Sequence, residues 1–199
     1  MTSVWHGVPQ GMVGETLYPL GQLGDVDSAL YDLQRSKYAG REEVLHYRVP
    51  LLGCGFLDTV HCSSVHPHWI YQARRAAGFD VPPRSDTGWG IGLAFEIPLE
   101  RIVVNPTLWY SWLTPWVNGY PHTDVPTAPP SEEFEAFDPQ RYSPLPDVPD
   151  RHRMYLAQMK EQQRRPLMFV HIPHVLVAGP IDIRGCQIVR WEDSPRSEG

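Results

Sequence analysis

Short apolar and alternating segments, separated by proline and glycine, make up most of the hydrophobic pattern of this chain. Alternation of apolar and polar positions, or a short apolar run between turn residues, is typical of a β-strand. By these criteria six strands are predicted, within residues 3–8, 56–63, 90–98, 99–106, 167–171 and 187–191. The strand within 99–106 follows a half-turn and ends at Pro106. The pattern therefore predicts a substantial β component.

Helical spacing of apolar residues, together with start and stop residues, predicts four helical segments. They are residues 27–38, 41–47, 67–77 and 150–165. Asp27 and Asp150 are placed to cap the first and the last, and Pro67 suits the first position of a helix, where no N–H is needed. Gly40 and Gly78 stand where helices end. Strands interspersed with helices predict an α+β fold with irregular mixed or antiparallel sheets and flanking helices.

Proline and glycine are unusually frequent, because 21 prolines and 16 glycines form about 19% of the 199 residues, against an average near 12%. This content excludes a helical bundle or a coiled coil. Eight prolines fall within residues 118–149, which are predicted to form a long ordered flap or a disordered loop. The length predicts one domain over residues 1–199. Residues 193–199 are predicted to form a disordered tail.

The charge of the chain limits its partners. With 17 basic and 23 acidic residues the net charge is −6, which disfavours general coating of nucleic acid. The dense basic stretches are residues 74–75 and 160–165. Cys54, Cys62 and Cys186 make no even disulfide framework, and the N-terminus lacks a secretory pattern. A reduced, cytoplasmic protein without a membrane span is predicted.

The densest candidate site lies in residues 58–68, which hold three histidines, a cysteine and an aspartate. A strand followed by a helix at Pro67 would expose backbone N–H groups to an anion such as phosphate, beside Ser64 and His66. The alternative is a zinc or iron site, since imidazole and thiolate are common ligands of both. Its ligands would be His61, Cys62, His66 and His68. A third interpretation makes these histidines structural.

Two further segments carry candidate binding residues. His6 precedes Gly7, whose missing side chain lets a ligand approach the backbone, and Tyr18 follows in the next aromatic segment. Tyr38 and Arg41 flank a helix-ending glycine and suit stacking on a ring and binding a phosphate. An ordinary strand histidine and an ordinary helix end are the structural alternatives. The sequence contains no nucleophile elbow, P-loop, dinucleotide fingerprint or zinc-protease motif.

The order of these motifs resembles the ADP-ribosyltransferase fold, particularly the DarT-type enzymes that modify nucleic acid. The V-W-H-G segment with His6 is similar to a first strand whose histidine contacts NAD, and residues 17–47 are similar to a helical loop on the nicotinamide side. The family's aromatic-x-D-x-V…S-x-x-P pattern is matched by Phe56, Asp58, Val60, Ser64 and Pro67. Residues 162–170 resemble a basic helix end that leads into a strand.

This resemblance implies a protein that binds NAD or another nucleotide and modifies nucleic acid or protein. Its implied cofactor-binding residues are His6, Gly7, Tyr18, Tyr38, Arg41, Ser64, His66 and Arg75. His6 and Tyr38 would hold the ribose and nicotinamide, with Arg41 or Arg75 on the pyrophosphate. Met168 stands where the family has its catalytic glutamate. Catalysis would then use His6, Tyr38 and Glu96, or the protein binds nucleotide without transferring it.

Two hypotheses from other classes remain open. The first is a metal-dependent hydrolase or oxygenase built on residues 61–68. The second is a non-catalytic protein that binds a partner through its Trp- and Pro-rich residues 108–149.

Overall fold

A computed structural model describes residues 2–39, 42–80, 92–114 and 129–195. Nine strands lie in these ranges: β1 Ser3–Gly7, β2 Thr16–Leu17, β3 Thr59–Ser63, β4 Leu93–Pro98, β5 Thr107–Tyr110, β6 Phe134–Ala136, β7 His174–Ala178, β8 Ile181–Asp182 and β9 Gln187–Arg190. The α-helices there are α1 Leu20–Val26, α2 Ser28–Arg35, α3 Pro67–Ala76, α4 Leu99–Ile102 and α5 Asp150–Glu161. Short 3₁₀ helices cover Ser36–Tyr38, Glu42–His46, Phe56–Asp58 and Ser131–Glu133.

Seven strands form one antiparallel sheet in the order β6-β5-β7-β3-β1-β4-β9, and β2 pairs with β8 in a small second sheet. With helices packed around the sheets, the protein belongs to the α+β class, as predicted. Every strand pair in the described ranges is antiparallel, so the sheets are not mixed. None of the described helices combines the length and apolar character that crossing a membrane requires.

Both faces of the large sheet are covered, because successive side chains of a strand point to opposite faces. One face carries Leu108, Tyr110 and Leu176 and packs against Ile70 of α3 and Leu156 of α5. We call this apolar group the first core. The other face carries the second core, which contains Val4, Val60, Phe95, Val175 and Ile181.

The central strand β7 is where the sequence prediction fails most clearly. It lies between β5 and β3, and its first four residues are buried. The strand predicted at 167–171 is wrong, since those residues form loop and turn, and His171 has a φ of 61°. A left-handed backbone at His171 ends any extended run there, and the strand begins only after Pro173.

The starts of two predicted helices are confirmed, and the limits of the last predicted helix are corrected. Helix α3 begins at Pro67 as predicted, and Asp27 Oδ1 accepts a hydrogen bond from the Leu30 N–H at 2.9 Å as the predicted cap of α2. Asp150 does not cap α5, because it lies inside the first turn after Pro149. That helix ends at residue 161 rather than 165.

Two segments have a different structure from the one predicted. Residues 99–106 begin with α4, and the next strand starts at Thr107, just beyond Pro106. The apolar pattern predicts no helix at α1, which contains two glycines and begins after Pro19 without a side-chain cap.

The described part of the proline-rich segment, residues 129–149, belongs to the fold. Strand β6 pairs with β5, and Phe134 stacks on Tyr110 with ring centroids 4.6 Å apart. Val148 is also buried in the first core. These residues form an ordered part of the sheet edge, while residues 115–128 lie outside the described ranges.

Replacing the two glycines of α1 by alanine, one at a time, should change the free energy of unfolding in opposite directions. A Cβ at Gly21 would overlap Asp58 Oδ1, which belongs to a carboxylate whose Oδ2 accepts the Gly55 N–H at 2.8 Å. Overlap with a held side chain should lower the free energy of unfolding by about 1–3 kcal/mol. At Gly24 the nearest atom would be Tyr31 Cγ at 3.6 Å. Gly24→Ala should therefore gain about 0.5–1 kcal/mol of helix propensity.

Urea unfolding of the two variants measures the difference. Equal stability of Gly21→Ala and Gly24→Ala would contradict the close packing of α1 on the 3₁₀ turn before β3.

Candidate functional site

A small cleft opens on the first-core face of the large sheet. The space in it that the centre of a water molecule can occupy is about 10 Å³, and the cleft is partly open to solvent. Its lining residues come from β1, β3, β4, α3 and the chain around β7 and β9: Trp5, Gly7, Ser63, Val65, Pro67, Ile70, Ala94, Phe169 and Trp191. Aromatic side chains form the walls, and small residues occupy the floor. Free space of this size admits one water-sized group, such as a carbonyl oxygen, and not a whole ring.

Strand pairing explains how the cleft is built. Trp5 pairs with Ser63 on β3 and with Glu96 on β4, so these three side chains share one sheet face. Gly7 pairs with Ala94, and a Cβ at Gly7 would meet no atom within 4 Å. The floor therefore leaves open space beside the Trp5 indole.

The indole N–H of Trp5 is the polar group of the cleft that lacks a partner. Trp5 is 7% exposed, and its Nε1 is buried without a hydrogen bond. The ring itself is held by an edge contact with the His66 ring, with centroids 5.2 Å apart. A buried donor without an acceptor is costly, so this N–H marks a position where a ligand acceptor would be favourable.

Two histidines adjoin the cleft across β3 and β7. The rings of His61 and His174 lie 6.4 Å apart, and Phe169, a cleft wall, lies 5.3 Å from His174. His61 Nε2–H donates to the Phe56 carbonyl at 3.0 Å, and His174 Nδ1–H donates to the Ile172 carbonyl at 2.7 Å. These bonds assign one protonated nitrogen to each neutral ring.

Burial keeps these imidazoles neutral. It lowers the pKa of His61 to about 4 and, together with the charge of His61, lowers the pKa of His174 to about 3. Burial also lowers the pKa of His6 to about 4, with smaller effects from His61 and Lys37. At neutral pH none of the three acts as a cationic partner for phosphate.

His6 itself is on the other face of the sheet from the cleft. It pairs with Phe95, a residue of the second core, whereas the neighbouring Trp5 and Gly7 line the cleft. His6 Nδ1 is buried without a hydrogen bond. The first strand thus supplies the cleft through the residues on either side of the predicted histidine.

The strand-to-helix junction at residues 63–68 is largely satisfied by internal bonds. Ser64 is fully buried, and its hydroxyl donates to the Pro173 carbonyl at 2.9 Å. His66 Nδ1 accepts the His68 N–H at 3.1 Å and so caps α3, while His68 Nδ1–H donates to the Glu192 carbonyl at 3.1 Å. The anion predicted here would compete with these bonds.

The four residues predicted to bind metal are not gathered around one point. No group of three or more His, Cys, Asp or Glu in the described ranges is placed to hold a metal ion. His61 and Cys62 are consecutive on β3, so they face opposite sides of the sheet. Burial raises the pKa of the Cys62 thiol to about 12, which disfavours the thiolate that a metal needs.

The remaining predicted site residues are dispersed. Tyr38 packs against the first core, Tyr18 is exposed, and Arg75 is exposed at the end of α3 with its guanidinium 5.7 Å from the Tyr71 ring. Arg41 lies outside the described residues. Glu96 is half-buried beside Trp5 on the cleft face.

Sequence reasoning missed the two aromatic walls that close the cleft, Phe169 and Trp191. Both fall in segments assigned to strands, and their rings lie 6.2 Å apart. The resemblance placed Met168 on a strand, but that residue lies in a bend. Comparisons with protein-family models, curated proteins and solved structures find no match for this chain.

Proposed function

We propose that the protein binds a nucleotide, with NAD as the leading candidate, and that a polar group at the edge of a planar ring of this ligand reaches into the cleft. The observation that carries the proposal is the buried, unpartnered N–H of Trp5 beside the open space above Gly7. A carbonyl or ring nitrogen of the ligand would accept this N–H. Aromatic walls favour a flat π-system over an aliphatic ligand.

The small free space of the cleft, about 10 Å³, limits the inserted part of the ligand to a polar group at the edge of a ring. The sugar and phosphates of a nucleotide would then extend along the surface outside the cleft. Recognition would depend on Trp5, Phe169 and Trp191 rather than on a long groove.

Glu96 is the proposed catalytic carboxylate of an ADP-ribosyltransferase reaction. It stands opposite Trp5 in the β1–β4 register, on the face that carries the cleft. In this reaction the bond between the ribose C1′ and the nicotinamide nitrogen breaks, and its electron pair leaves with nicotinamide. A nearby carboxylate stabilises the positive charge that develops at the sugar. A nitrogen or hydroxyl oxygen of nucleic acid or protein then bonds to C1′, and its proton is released to solvent.

Titration with NAD, followed by tryptophan fluorescence and calorimetry, tests the binding step. We expect wild-type protein to bind, and Trp5→Phe to bind roughly tenfold more weakly, because it keeps the ring but loses one hydrogen bond. Glu96→Gln should bind NAD normally but release nicotinamide at least about 100-fold more slowly. Glu135→Gln, an exposed glutamate on β6, is the matched control and should behave as wild type.

The binding of NAD and the transfer reaction can be rejected separately. Absence of binding at millimolar NAD would reject the nucleotide assignment. Binding without nicotinamide release from the wild type would keep the nucleotide site and reject the transferase activity. An unchanged affinity of Trp5→Phe would show that the ligand occupies another place.

A further inference from the structure

The fold brings together two basic stretches that are far apart in the chain. Helix α3 ends in Arg74 and Arg75, and Lys160 is in the last turn of α5. The Lys160 ammonium donates to the Gly78 carbonyl at 2.5 Å, directly after α3. The C-terminal ends of the two helices are therefore in contact.

Phe79 forms the shared apolar surface of this contact. Its ring centroid lies 5.9 Å from the Arg74 guanidinium carbon and 5.3 Å from Lys160 Nζ. Arg164 and Arg165 follow directly after α5, and both are exposed. We call this group the basic corner: Arg74, Arg75, Lys160, Arg164 and Arg165.

Arg74 is the unusual member of the basic corner. It is 7% exposed, and its Nε and Nη1 are buried without a hydrogen-bond partner. Burial lowers its pKa, which the neighbouring charge of Arg165 lowers further and Tyr155 raises. A guanidinium remains charged under these conditions. Within the part of the chain that the structure describes, no carboxylate is among the groups that shift its pKa.

His152 is a second buried residue on which the charge of Arg74 acts. His152 is fully buried, and its Nδ1–H donates to the Val170 carbonyl at 2.7 Å. Its Nε2 has no partner. Besides burial, the charges of Arg74, His171 and Arg153 lower the pKa of His152 to about 4. His152 is therefore neutral at pH 7, because burial and the nearby cations disfavour a positive charge there.

We propose that the basic corner binds a phosphate-bearing ligand and that the Arg74 guanidinium donates to one of the phosphate oxygens. Phosphate fits because Lys160 shares the Phe79 ring with the fork-shaped Arg74 guanidinium, and the charge of Arg165 also acts on Arg74. Two carboxylates, Asp80 and Glu161, lie in the same segments, so the five cations remain in excess. In a chain of net charge −6, such a concentration of positive charge is a local feature of this surface.

This site is separate from the cleft. Pro67 and Ile70 line the cleft at the start of α3, whereas Arg74 and Arg75 lie toward its other end. Loss of phosphate binding and loss of NAD binding can therefore be measured independently.

Binding of pyrophosphate and of a single-stranded oligonucleotide, each measured at low salt, tests the proposal. We expect Arg74→Met to bind either probe at least tenfold more weakly, while folding as stably as wild type or more so, because it removes an unpaired buried charge. Arg190→Met, at an exposed arginine of β9, should bind both probes as wild type does.

A second variant avoids the core altogether. Replacing the exposed Arg164 and Arg165 by Gln should weaken binding severalfold and reduce its salt dependence, since fewer cations displace counterions from phosphate. Tight binding of the oligonucleotide with weak pyrophosphate binding would identify a polymer as the source of the phosphate; the reverse would identify a small ligand. The proposal is overturned if neither probe binds, or if Arg74→Met and the double variant both bind as wild type does.

Discussion

Acidification from pH 7 to about pH 5 is expected to unfold the protein. Burial lowers the pKa of five histidines in the folded state: to about 4 for His6, His61, His66 and His152, and to about 3 for His174. In the unfolded chain each of them should titrate near pKa 6.5. Between these values the unfolded state binds more protons, so stability falls as the pH falls.

The size of this effect is large compared with ordinary protein stability. Each histidine contributes a slope of about 1.4 kcal/mol per pH unit between its folded and unfolded pKa. Five such groups give about 7 kcal/mol per pH unit, whereas a typical domain has about 5–15 kcal/mol in total. The stability is fully present above pH 6.5 and is lost toward pH 4. Ordinary carboxylates titrate mainly below this window.

Urea unfolding at a series of pH values measures the slope, and one substitution tests its origin. His152→Gln removes a titrating ring but keeps an amide donor for the Val170 carbonyl that His152 Nδ1 contacts. In this variant the unfolded and folded states should differ by about one bound proton fewer than in the wild type, so the free energy of unfolding should depend less steeply on pH. His46→Gln, at an exposed histidine, is the control and should keep the wild-type slope. A free energy of unfolding that stays constant down to pH 4 would contradict the conclusion that these histidines are neutral in the folded protein.

Helices whose ends carry typical start and stop residues could be predicted from the local sequence. Pro67 at the first position and Gly78 after the end define α3 through the chemistry of helix termini. Asp27 likewise identifies the start of α2, because its carboxylate accepts a backbone N–H. Helix α1 carries no such signal, and its two glycines disfavour a helix on propensity alone.

The site could be predicted only in part, because it depends on strand order. Trp5 and Trp191 are close to opposite ends of the chain, yet both line one cleft since β1 pairs with β4 and β4 with β9. The sequence drew attention to His6 on β1, but which side chains of this strand face the cleft depends on register. The histidines at 61–68 stand out in the sequence, whereas their internal hydrogen bonds could be known only from the fold.

Strand β7 shows why a buried segment is hard to delimit from sequence. Residues 167–178 form an almost continuous apolar run on both sides of Pro173. A strand buried on both faces has no polar alternation to reveal its ends. The left-handed backbone at His171 interrupts this run, so that only the half after Pro173 is extended. No residue type at this position signals such a backbone in the sequence.

Truncation of the central strand should give the largest single-residue loss of stability. Leu176 is fully buried in β7, and it pairs with His61 on β3 and with Leu108 on β5. Leu176→Ala should lower the free energy of unfolding by about 2–5 kcal/mol, because it removes buried methyl groups and leaves a cavity that two flanking strands cannot fill. Ile188→Ala on the edge strand β9, where the side chain is 51% exposed, should cost less than about 1 kcal/mol.

Urea unfolding at pH 7.5, where by linkage the histidines are neutral in both states, measures both variants. An unchanged dependence on urea concentration would show that the two variants unfold the same surface as wild type. Equal losses for Leu176→Ala and Ile188→Ala would contradict the central position of β7, and with it the register that brings His61 and His174 together beside the cleft.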